Sequence, residues 1–226
     1  MRRLGGHREW RCYATSPRTL RPEPSARNPV RPTDRGCLLF RIIRVTEPTA
    51  APSRYVSLLG EQVRHEFNAS QQYVAIAVWY DAHDLPQLAA HFYRQAVEER
   101  NHAMMIVQWM LDRDLTVGIP GVDEVRGEFG SIAEPIAHAL AQERTVTEQI
   151  KTLFATARQE SDFLGEQFML WFLKEQVEEV AAMTTLLNVA ERAGDDWFDV
   201  ETYLAREDVG DAGQDAGAPA AAGGVM

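Results

Sequence analysis

The sequence predicts an all-α protein in which four long helices form a bundle, with one long crossover connection and a short fifth helix near the C-terminus. Apolar residues recur at helical spacing in four stretches between residues 54 and 192. Only short polar links interrupt the first and the second pair of stretches, whereas residues 115–130, rich in glycine, separate the two pairs. A connection of this length allows the third helix to begin at the far end of the bundle.

The first two helices are bounded by local signals. The first is predicted to begin at Ser53 or Arg54 and to continue to about His83. Asp84 then precedes a proline at position 86, an order that predicts Asp84 as the N-cap and the proline within the first turn of the second helix. The second helix is expected over about residues 86–114.

The remaining helices carry comparable signals. Ser131 and Glu134 have the spacing of a capping box, which predicts a third helix continuing to about residue 159. Asp162 is the predicted cap of a fourth helix over about residues 163–192, which Gly194 ends. A short fifth helix is expected from Asp196 to about residue 206.

Composition favours a metal-binding protein over a nucleic-acid-binding one. The 226 residues, 45% hydrophobic, suffice for one sizeable core, and the formal net charge is −10. Residues 1–54 carry 12 Arg against four acidic residues, whereas the remainder carries 29 acidic residues against 11 basic ones. An acidic domain attracts cations and repels nucleic acid, so a metal ion is the favoured partner.

The cysteines and the apolar runs indicate the cellular setting. Both cysteines, Cys12 and Cys37, lie in the basic segment, so the acidic remainder has no thiol for a disulfide or for metal binding. Charged or polar residues interrupt every apolar run before it reaches the length of a membrane span. We therefore expect a soluble cytoplasmic protein with oxygen-ligand chemistry and no membrane partner.

The two ends differ in composition from the domain expected over residues 54–208. Residues 1–53 are rich in Arg and Pro and are predicted to be disordered. An organelle transit peptide is one interpretation of this extension, and translation that begins at Val45 is another. Residues 209–226 are rich in Ala and Gly and are also predicted to be disordered.

Each long helix carries a glutamate where the apolar pattern expects a core residue. The pattern assigns to the core the residues that lie seven positions before and seven positions after each of these glutamates. Gln176 is flanked by core residues in the same way. His102 follows one of these glutamates by three residues, which places both on one face of a helix. The four glutamates are Glu66, Glu99, Glu143 and Glu179.

This pattern predicts a metal centre inside the bundle. Any single glutamate of this kind is more often a residue at a wet edge or a hydrogen-bonded buried acid. Four buried carboxylates from four helices require cationic compensation, because an isolated buried charge costs several kcal/mol. Two divalent cations that share a bridging carboxylate would use four glutamates and one histidine.

Further acidic residues are open to two interpretations. Glu98, Glu175 and Glu178 neighbour the proposed ligands in sequence, and they form either a second cation site or a solvated acidic face. Asp162 and Glu166, at the start of the fourth helix, are candidates for the lining of an entry channel.

Four motifs together resemble the bacterial non-haem ferritins, and most closely those of high-GC Gram-positive bacteria. They are His-Glu-Phe-x-Ala-x-Gln-Gln-Tyr at 65–73, Gln-Ala-Val-Glu-Glu-Arg-Asn-His at 95–102, Gln-Glu-Arg-Thr-Val-Thr at 142–147 and Trp-Phe-Leu-x-Glu-Gln-x-Glu-Glu at 171–179. The resemblance extends over about residues 53–209. It implies the ferritin-like fold, a cage of 24 subunits and iron storage.

The resemblance also implies a role for each candidate residue. Glu66, Glu99 and His102 would hold one iron, Glu99 would bridge to a second iron held by Glu143 and Glu179, and Gln176 would lie beside the second. A looser third site would use Glu98, Glu175, Glu178 and Glu179. Arg100 and Gln176 stand where the haem-binding bacterioferritins have a methionine and part of a second Glu-x-x-His step, so no haem is expected.

The resemblance thus predicts a ferroxidase that oxidises Fe(II) with dioxygen or hydrogen peroxide and deposits ferric mineral inside a homo-oligomeric cage. Two alternatives remain at this point. Another di-iron carboxylate oxidoreductase would use similar ligands, and a DNA-protecting relative would use the Arg-rich segment to bind nucleic acid.

Overall fold

The computed structural model describes residues 52–207 and 217–224. Within these ranges the chain is all-α, with five helices and no strand, and the predicted bundle is confirmed. None of these helices is both long enough and apolar enough to cross a membrane. Their bounds are α1 Arg54–Asp81, α2 Pro86–Asp112, α3 Ala133–Gln159, α4 Phe163–Ala193 and α5 Trp197–Leu204.

Several sequence predictions lie outside the described residues. The interpretations of the basic segment, including both cysteines and a start at Val45, concern residues 1–51. The domain boundaries therefore remain predictions.

The helices pack as two hairpins. Links of a few residues join α1 to α2 and α3 to α4, and these two pairs share the most extensive helix contacts. Contacts between α1 and α3 join the hairpins, and α5 packs against α4 and α2. The connection over residues 113–132 has no regular structure apart from turns and bends, as was predicted for the long crossover.

The crossover is anchored along α1 by two reciprocal pairs of hydrogen bonds. Asn68 Nδ2 donates to Asp123 Oδ2 and Asn68 Oδ1 accepts from the Asp123 backbone N–H, both at 2.8 Å. One turn on, Gln72 Nε2 donates to the Arg126 carbonyl at 2.8 Å and Gln72 Oε1 accepts from its N–H at 2.9 Å. These side chains provide the backbone partners that a strand or helix would otherwise supply.

Three predicted helix boundaries are confirmed by their capping geometry. The Ser53 hydroxyl accepts from the Val56 N–H, and Asp162 Oδ1 accepts from the Gly165 N–H at 3.0 Å. At the C-terminus of α4, Gly194 has a φ of 58°, a conformation that costs glycine little because it has no Cβ.

The two other cap predictions were wrong. Asp84 has a φ of 56° and belongs to the turn that ends α1, so Leu85 is the N-cap residue of α2. The first-turn N–H groups of Gln87 and Leu88 instead donate to the Glu201 carboxylate of α5, each at 2.9 Å. Tertiary packing thus supplies the cap that was expected from the neighbouring residue.

Similarly, Ser131 does not cap α3, whose N-cap residue is Ile132. The Glu134 carboxylate accepts from the Gly130 N–H at 2.5 Å and pairs with Arg126. The Glu134 carboxylate therefore bonds to residues of the crossover and does not form the predicted capping box.

The core contains two apolar clusters with a buried polar layer between them along the bundle. One cluster surrounds Tyr80, Phe92 and Leu186, and the other surrounds Leu59, Ile106 and Met169. Glu66, Glu99, Glu143 and Glu179 lie in the polar layer.

The C-terminal tail differs in part from the disorder expected for residues 209–226. The structure describes residues 217–224, where the Ala222 N–H donates to the Met104 carbonyl at 3.0 Å. Ala221 and Ala222 pack beside the second apolar cluster. Small side chains allow the tail backbone to approach α2 closely, which low complexity alone does not reveal.

Candidate metal centre

The predicted inward phase of the four glutamates and Gln176 is confirmed by burial. All five side chains are buried, and so are the ten residues that flank them at minus seven and plus seven. Helical periodicity carries each carboxylate inward with the apolar residues of its own helix. Four helices thus bring acidic side chains into one layer of the core.

Glu66, Glu99 and His102 form the tightest group. One potential ligand atom of each lies within 4.8 Å of the others, and His102 Nδ1 is 3.4 Å from Glu99 Oε2. Among the described residues, no amide, hydroxyl or basic group donates a hydrogen bond to Glu66 Oε2 or Glu99 Oε1. Buried carboxylate oxygens of this kind require a proton or a cation, so the group is suited to a divalent ion.

Glu143 is held by three supporting side chains. The Tyr73 hydroxyl donates to Glu143 Oε1, and Gln176 Nε2 lies 3.4 Å from Oε2. Thr147 Oγ1 lies 2.8 Å from both Gln176 Oε1 and the Glu143 carbonyl oxygen, so it orients the amide that faces Glu143. These contacts fix the orientation of a carboxylate predicted to hold the second ion.

Burial and the charges of neighbouring carboxylates raise the pKa values of Glu99, Glu143 and Glu179. Burial raises the pKa of Glu99 well above the usual carboxyl range, and the negative charges of Glu143 and Glu66 raise it further. Burial likewise raises the pKa of Glu179, with additional contributions from Glu143 and Glu99. Burial raises the pKa of Glu143 to about 7, although its bond from Tyr73 opposes the shift. A bound cation would relieve this repulsion.

A second group shares His102 with the first. Ligand atoms of Glu98, His102 and Glu175 lie within 4.8 Å of one another, and Gln95 Nε2 donates to Glu98 Oε2 at 2.6 Å. Glu178 is not a member of this group. Its exposed carboxylate is 3.3 Å from Lys174 Nζ.

Asp162 and Glu166, the predicted channel residues, each pair with an arginine. Asp162 Oδ2 lies 2.6 Å from Arg113, and Glu166 Oε1 lies 2.5 Å from Arg158. A carboxylate neutralised in this way attracts a passing cation less strongly. The prediction that they line a channel therefore gains no support from the structure.

Sequence reasoning missed two side chains that support the buried layer. Gln62 Nε2 donates to Glu66 Oε1 at 2.8 Å, and Thr147 supports Gln176. Both residues lie four positions from a predicted ligand on the same helix, Gln62 before Glu66 and Thr147 after Glu143. Spacing of four along a helix was the available signal.

The donor set indicates which metals fit. Carboxylate oxygens outnumber the single imidazole, and no cysteine lies among the described residues. Oxygen ligands with one or two nitrogen ligands suit Fe(II) or Mn(II) better than the softer metals that prefer thiolates. Carboxylates on four facing helices are also the arrangement of di-iron bundle proteins.

Comparison with known proteins agrees with this geometry. A family model described as a ferritin-like domain matches residues 56–193. Ferritin BfrB of Mycobacterium tuberculosis is 60% identical over 183 residues, which cover 80% of this chain and 100% of that protein; in strain H37Rv the protein is named bacterioferritin BfrB. Ferritin BfrB of Mycolicibacterium smegmatis is 58% identical over 182 residues, with the same coverage.

More distant relatives share the fold. The bacterial non-heme ferritin of Staphylococcus aureus is 37% identical over 138 residues, which cover 61% of this chain and 83% of that protein. An open-pore ferritin from the archaeon Archaeoglobus fulgidus superposes with a TM-score of 0.66 at 26% identity, covering 70% of this chain and 97% of that one. The chain therefore belongs to the ferritin family, whose members store iron, as its motifs predicted.

Proposed function

We propose that this chain is a ferroxidase subunit that oxidises Fe(II) at a di-iron carboxylate centre and passes Fe(III) to a mineral inside a protein cage. The observation that carries the proposal is the buried layer formed by Glu66, Glu99, His102, Glu143 and Glu179. Burial raises the pKa values of Glu99, Glu143 and Glu179, and Glu66 Oε2 and Glu99 Oε1 accept no hydrogen bond from the described residues, so a bound cation would stabilise the layer.

Each ligand has a distinct role in the proposal. Glu66, Glu99 and His102 hold the first Fe(II), and Glu99 bridges to a second Fe(II) held by Glu143 and Glu179. Gln176 lies beside the second ion. Each iron gives up one electron, so a pair matches the two-electron reduction of dioxygen or hydrogen peroxide.

The protein contributes geometry and charge to this reaction. Four glutamates carry enough negative charge to favour the product Fe(III) over Fe(II), because a higher cation charge interacts more strongly with them. Tyr73, Gln176 and Thr147 keep Glu143 in place while the charge on the metal changes. Glu98, Glu175 and His102 provide a further cation site beside the two irons. Glu178 would have to break its ion pair with Lys174 to join this site.

The proposal includes the assembly and the cofactor content. We propose a cytoplasmic homo-oligomeric cage of 24 subunits that holds no haem. Arg100 occupies the place of the methionine expected in a haem-binding relative, and a charged guanidinium cannot ligate haem iron. Purified protein mixed with haemin should therefore develop no sharp Soret band, and the appearance of one would exclude this part of the proposal.

The test combines particle size with iron oxidation. Analytical ultracentrifugation should give a 24-mer, and aerobic Fe(II) oxidation should be rapid for the wild type. Glu99→Ala and His102→Ala should each lower the initial rate by more than about 100-fold, because loss of a ligand costs more than loss of a supporting hydrogen bond.

The control for this experiment is Glu124→Ala, which removes an exposed carboxylate in the crossover. Its initial rate should equal that of the wild type. Wild-type rates in both ligand variants would refute the proposed centre, and a small oligomer with intact oxidation would favour another di-iron oxidoreductase. Retention on DNA that is lost with residues 1–44 would instead favour a DNA-protecting protein.

A further inference from the structure

A cavity of about 260 Å³ lies between α1 and α3, on the side of the bundle where these two helices meet. Its polar lining includes Glu61, Gln62 and His65 from α1, and Glu148 and Gln149 from α3. None of these residues is among the proposed ligands of the di-iron centre. The cavity therefore needs an explanation of its own.

The inner wall of the cavity is in direct contact with the proposed centre. Gln62 is only 1% exposed, and its Nε2 donates to Glu66 Oε1 at 2.8 Å. The same nitrogen lies 3.5 Å from Gln149 Oε1. The amide side chain of Gln62 thus separates the cavity from Glu66, a carboxylate proposed to hold iron.

The outer part of the cavity carries groups that a divalent cation prefers. Glu61 and Glu148 are exposed carboxylates, and His65 is half-buried beside them. Oxygen and imidazole donors are suitable transient ligands for Fe(II). Lys151 lies 2.7 Å from Glu148, so Glu61 contributes the larger share of the negative charge at the mouth.

Arg64 forms an ion pair with a residue outside the lining of the cavity. Arg64 lies next to His65 in the sequence, but its guanidinium lies 2.9 Å from Asp123 of the crossover. By contrast, the carboxylates of Asp162 and Glu166 at the start of α4 are both paired with arginines. The α1/α3 cavity is therefore the better electrostatic path for a cation.

We propose that Fe(II) reaches Glu66 through the α1/α3 cavity, with Gln62 as the side chain that moves to admit it. An arriving cation replaces the amide proton as the partner of Glu66 Oε1, because a carboxylate oxygen bound to a cation no longer requires that donor. Gln62 is thus a positioning residue, and Glu61 is the residue that attracts the cation. This inference rests on the proposed di-iron centre.

The test measures how fast the centre fills, using Co(II) alone as the probe under anaerobic conditions. Stopped-flow absorbance reports the filling rate, and the final amplitude reports whether the centre is intact. Glu61→Lys reverses the charge at the cavity mouth, and Glu191→Lys makes the same change at an exposed position of α4. Glu61→Lys should fill roughly tenfold more slowly at the wild-type amplitude, because steering by charge accounts for rate factors of at least this size.

The control should fill within about twofold of the wild type, since only the charge at the mouth is expected to steer the cation. Equal rates for the two variants, or a slower rate for Glu191→Lys, would overturn the proposed path. A final amplitude equal to that of the wild type would show in the same experiment that the centre is intact. Absence of saturable Co(II) binding by the wild type would overturn the centre itself, and the path with it.

A second pair of variants tests the path by obstruction. Thr145 also lines the cavity, and its hydroxyl contacts only the Ala141 carbonyl of its own helix among the described hydrogen bonds. Thr145→Arg should slow filling, whereas Ala155→Arg, at an exposed position of the same helix, should not. High salt should reduce the Glu61→Lys defect more than the Thr145→Arg defect, because salt screens charge but does not remove a side chain. Wild-type filling by Thr145→Arg would contradict the path.

Discussion

The hydroxyl of Tyr73 donates a hydrogen bond to Oε1 of Glu143 in the centre of the bundle. Both side chains are fully buried, and they come from α1 and α3, the two helices that join the hairpins. The bond fixes the rotation of a carboxylate proposed to hold iron, and it lowers the pKa of Glu143 against the effect of burial. Tyr73 therefore prepares the centre for a metal without being placed among its ligands.

Tyr73→Phe should weaken metal binding. The variant leaves Glu143 less well oriented and easier to protonate, so anaerobic Co(II) affinity should fall by about 10- to 100-fold, the usual cost of losing a supporting hydrogen bond. Isothermal titration calorimetry measures this affinity, and Tyr93→Phe, at a partly exposed tyrosine of α2, is the control. Unchanged affinity in Tyr73→Phe would show that the bond does not support the site.

Metal-free protein should lose stability as the pH rises. Burial raises the pKa of Glu143 in the folded protein to about 7, from the 4.5 of an unperturbed carboxyl group. A carboxyl whose pKa is raised by folding contributes stability that is complete below the unfolded value and is lost as the pH rises through the folded value. The loss should thus occur between about pH 4.5 and 7.

Glu143→Gln isolates this contribution. The free energy of unfolding should differ between the variant and the wild type, both free of metal, in favour of the variant by an amount that grows from pH 5 to pH 8 and reaches roughly 3 kcal/mol. Glu148→Gln removes an exposed carboxylate from the same helix and should show no such trend. A difference between Glu143→Gln and the wild type that is independent of pH would contradict the assignment.

Gly165 allows α4 to pack closely against the start of α1. A Cβ at this position would lie 2.5 Å from Cε1 of Tyr55, whose hydroxyl donates to the Gly165 carbonyl at 3.2 Å. Gly165→Ala should therefore reduce the free energy of unfolding by about 1–3 kcal/mol through overpacking. Gly60→Ala provides the contrast, because nothing lies within 4 Å of its added Cβ, and it should stabilise α1 by about 0.5–1 kcal/mol. Equal effects of the two substitutions on the thermal midpoint would contradict this packing.

Glu201 connects the short fifth helix to the start of α2. Its carboxylate accepts from the N–H groups of Gln87 and Leu88. Glu201→Ala should cost about 1 kcal/mol, as the loss of an N-cap does, and should accelerate hydrogen exchange at those two amides. Glu207→Ala, an exposed change beyond α5, should leave exchange in α2 unaltered. Faster exchange in both variants would show that Glu201 is not the specific cap.

Much of the fold and most of the candidate centre could be predicted from the sequence because both depend on periodicity. The apolar pattern that predicted the helices also predicted which face of each one is buried, and Glu66, Glu99, Glu143 and Glu179 lie on that face. The Glu99 and His102 pair followed from a spacing of three. Local geometry within a helix is sufficient for predictions of this kind.

Contacts between helices were harder to predict. Glu201 caps α2 from more than a hundred residues away, and it replaces the expected Asp84. Glu178 follows the buried Glu175 by three residues on the same helix, but its carboxylate is next to Lys174 at the surface. Such contacts depend on the distances in space between residues that are far apart in the sequence. A single sequence does not contain those distances.

The central claim is that two irons bind on either side of Glu99. Iron-edge anomalous scattering from crystals soaked anaerobically with Fe(II) tests it most directly. We predict two peaks per subunit about 3.5–4 Å apart, one beside Glu66 and His102 and the other beside Glu143 and Glu179, as in two-metal sites generally. A map with no peak beside Glu99, or with a single ion held by Glu98 and Glu175, would contradict the claim.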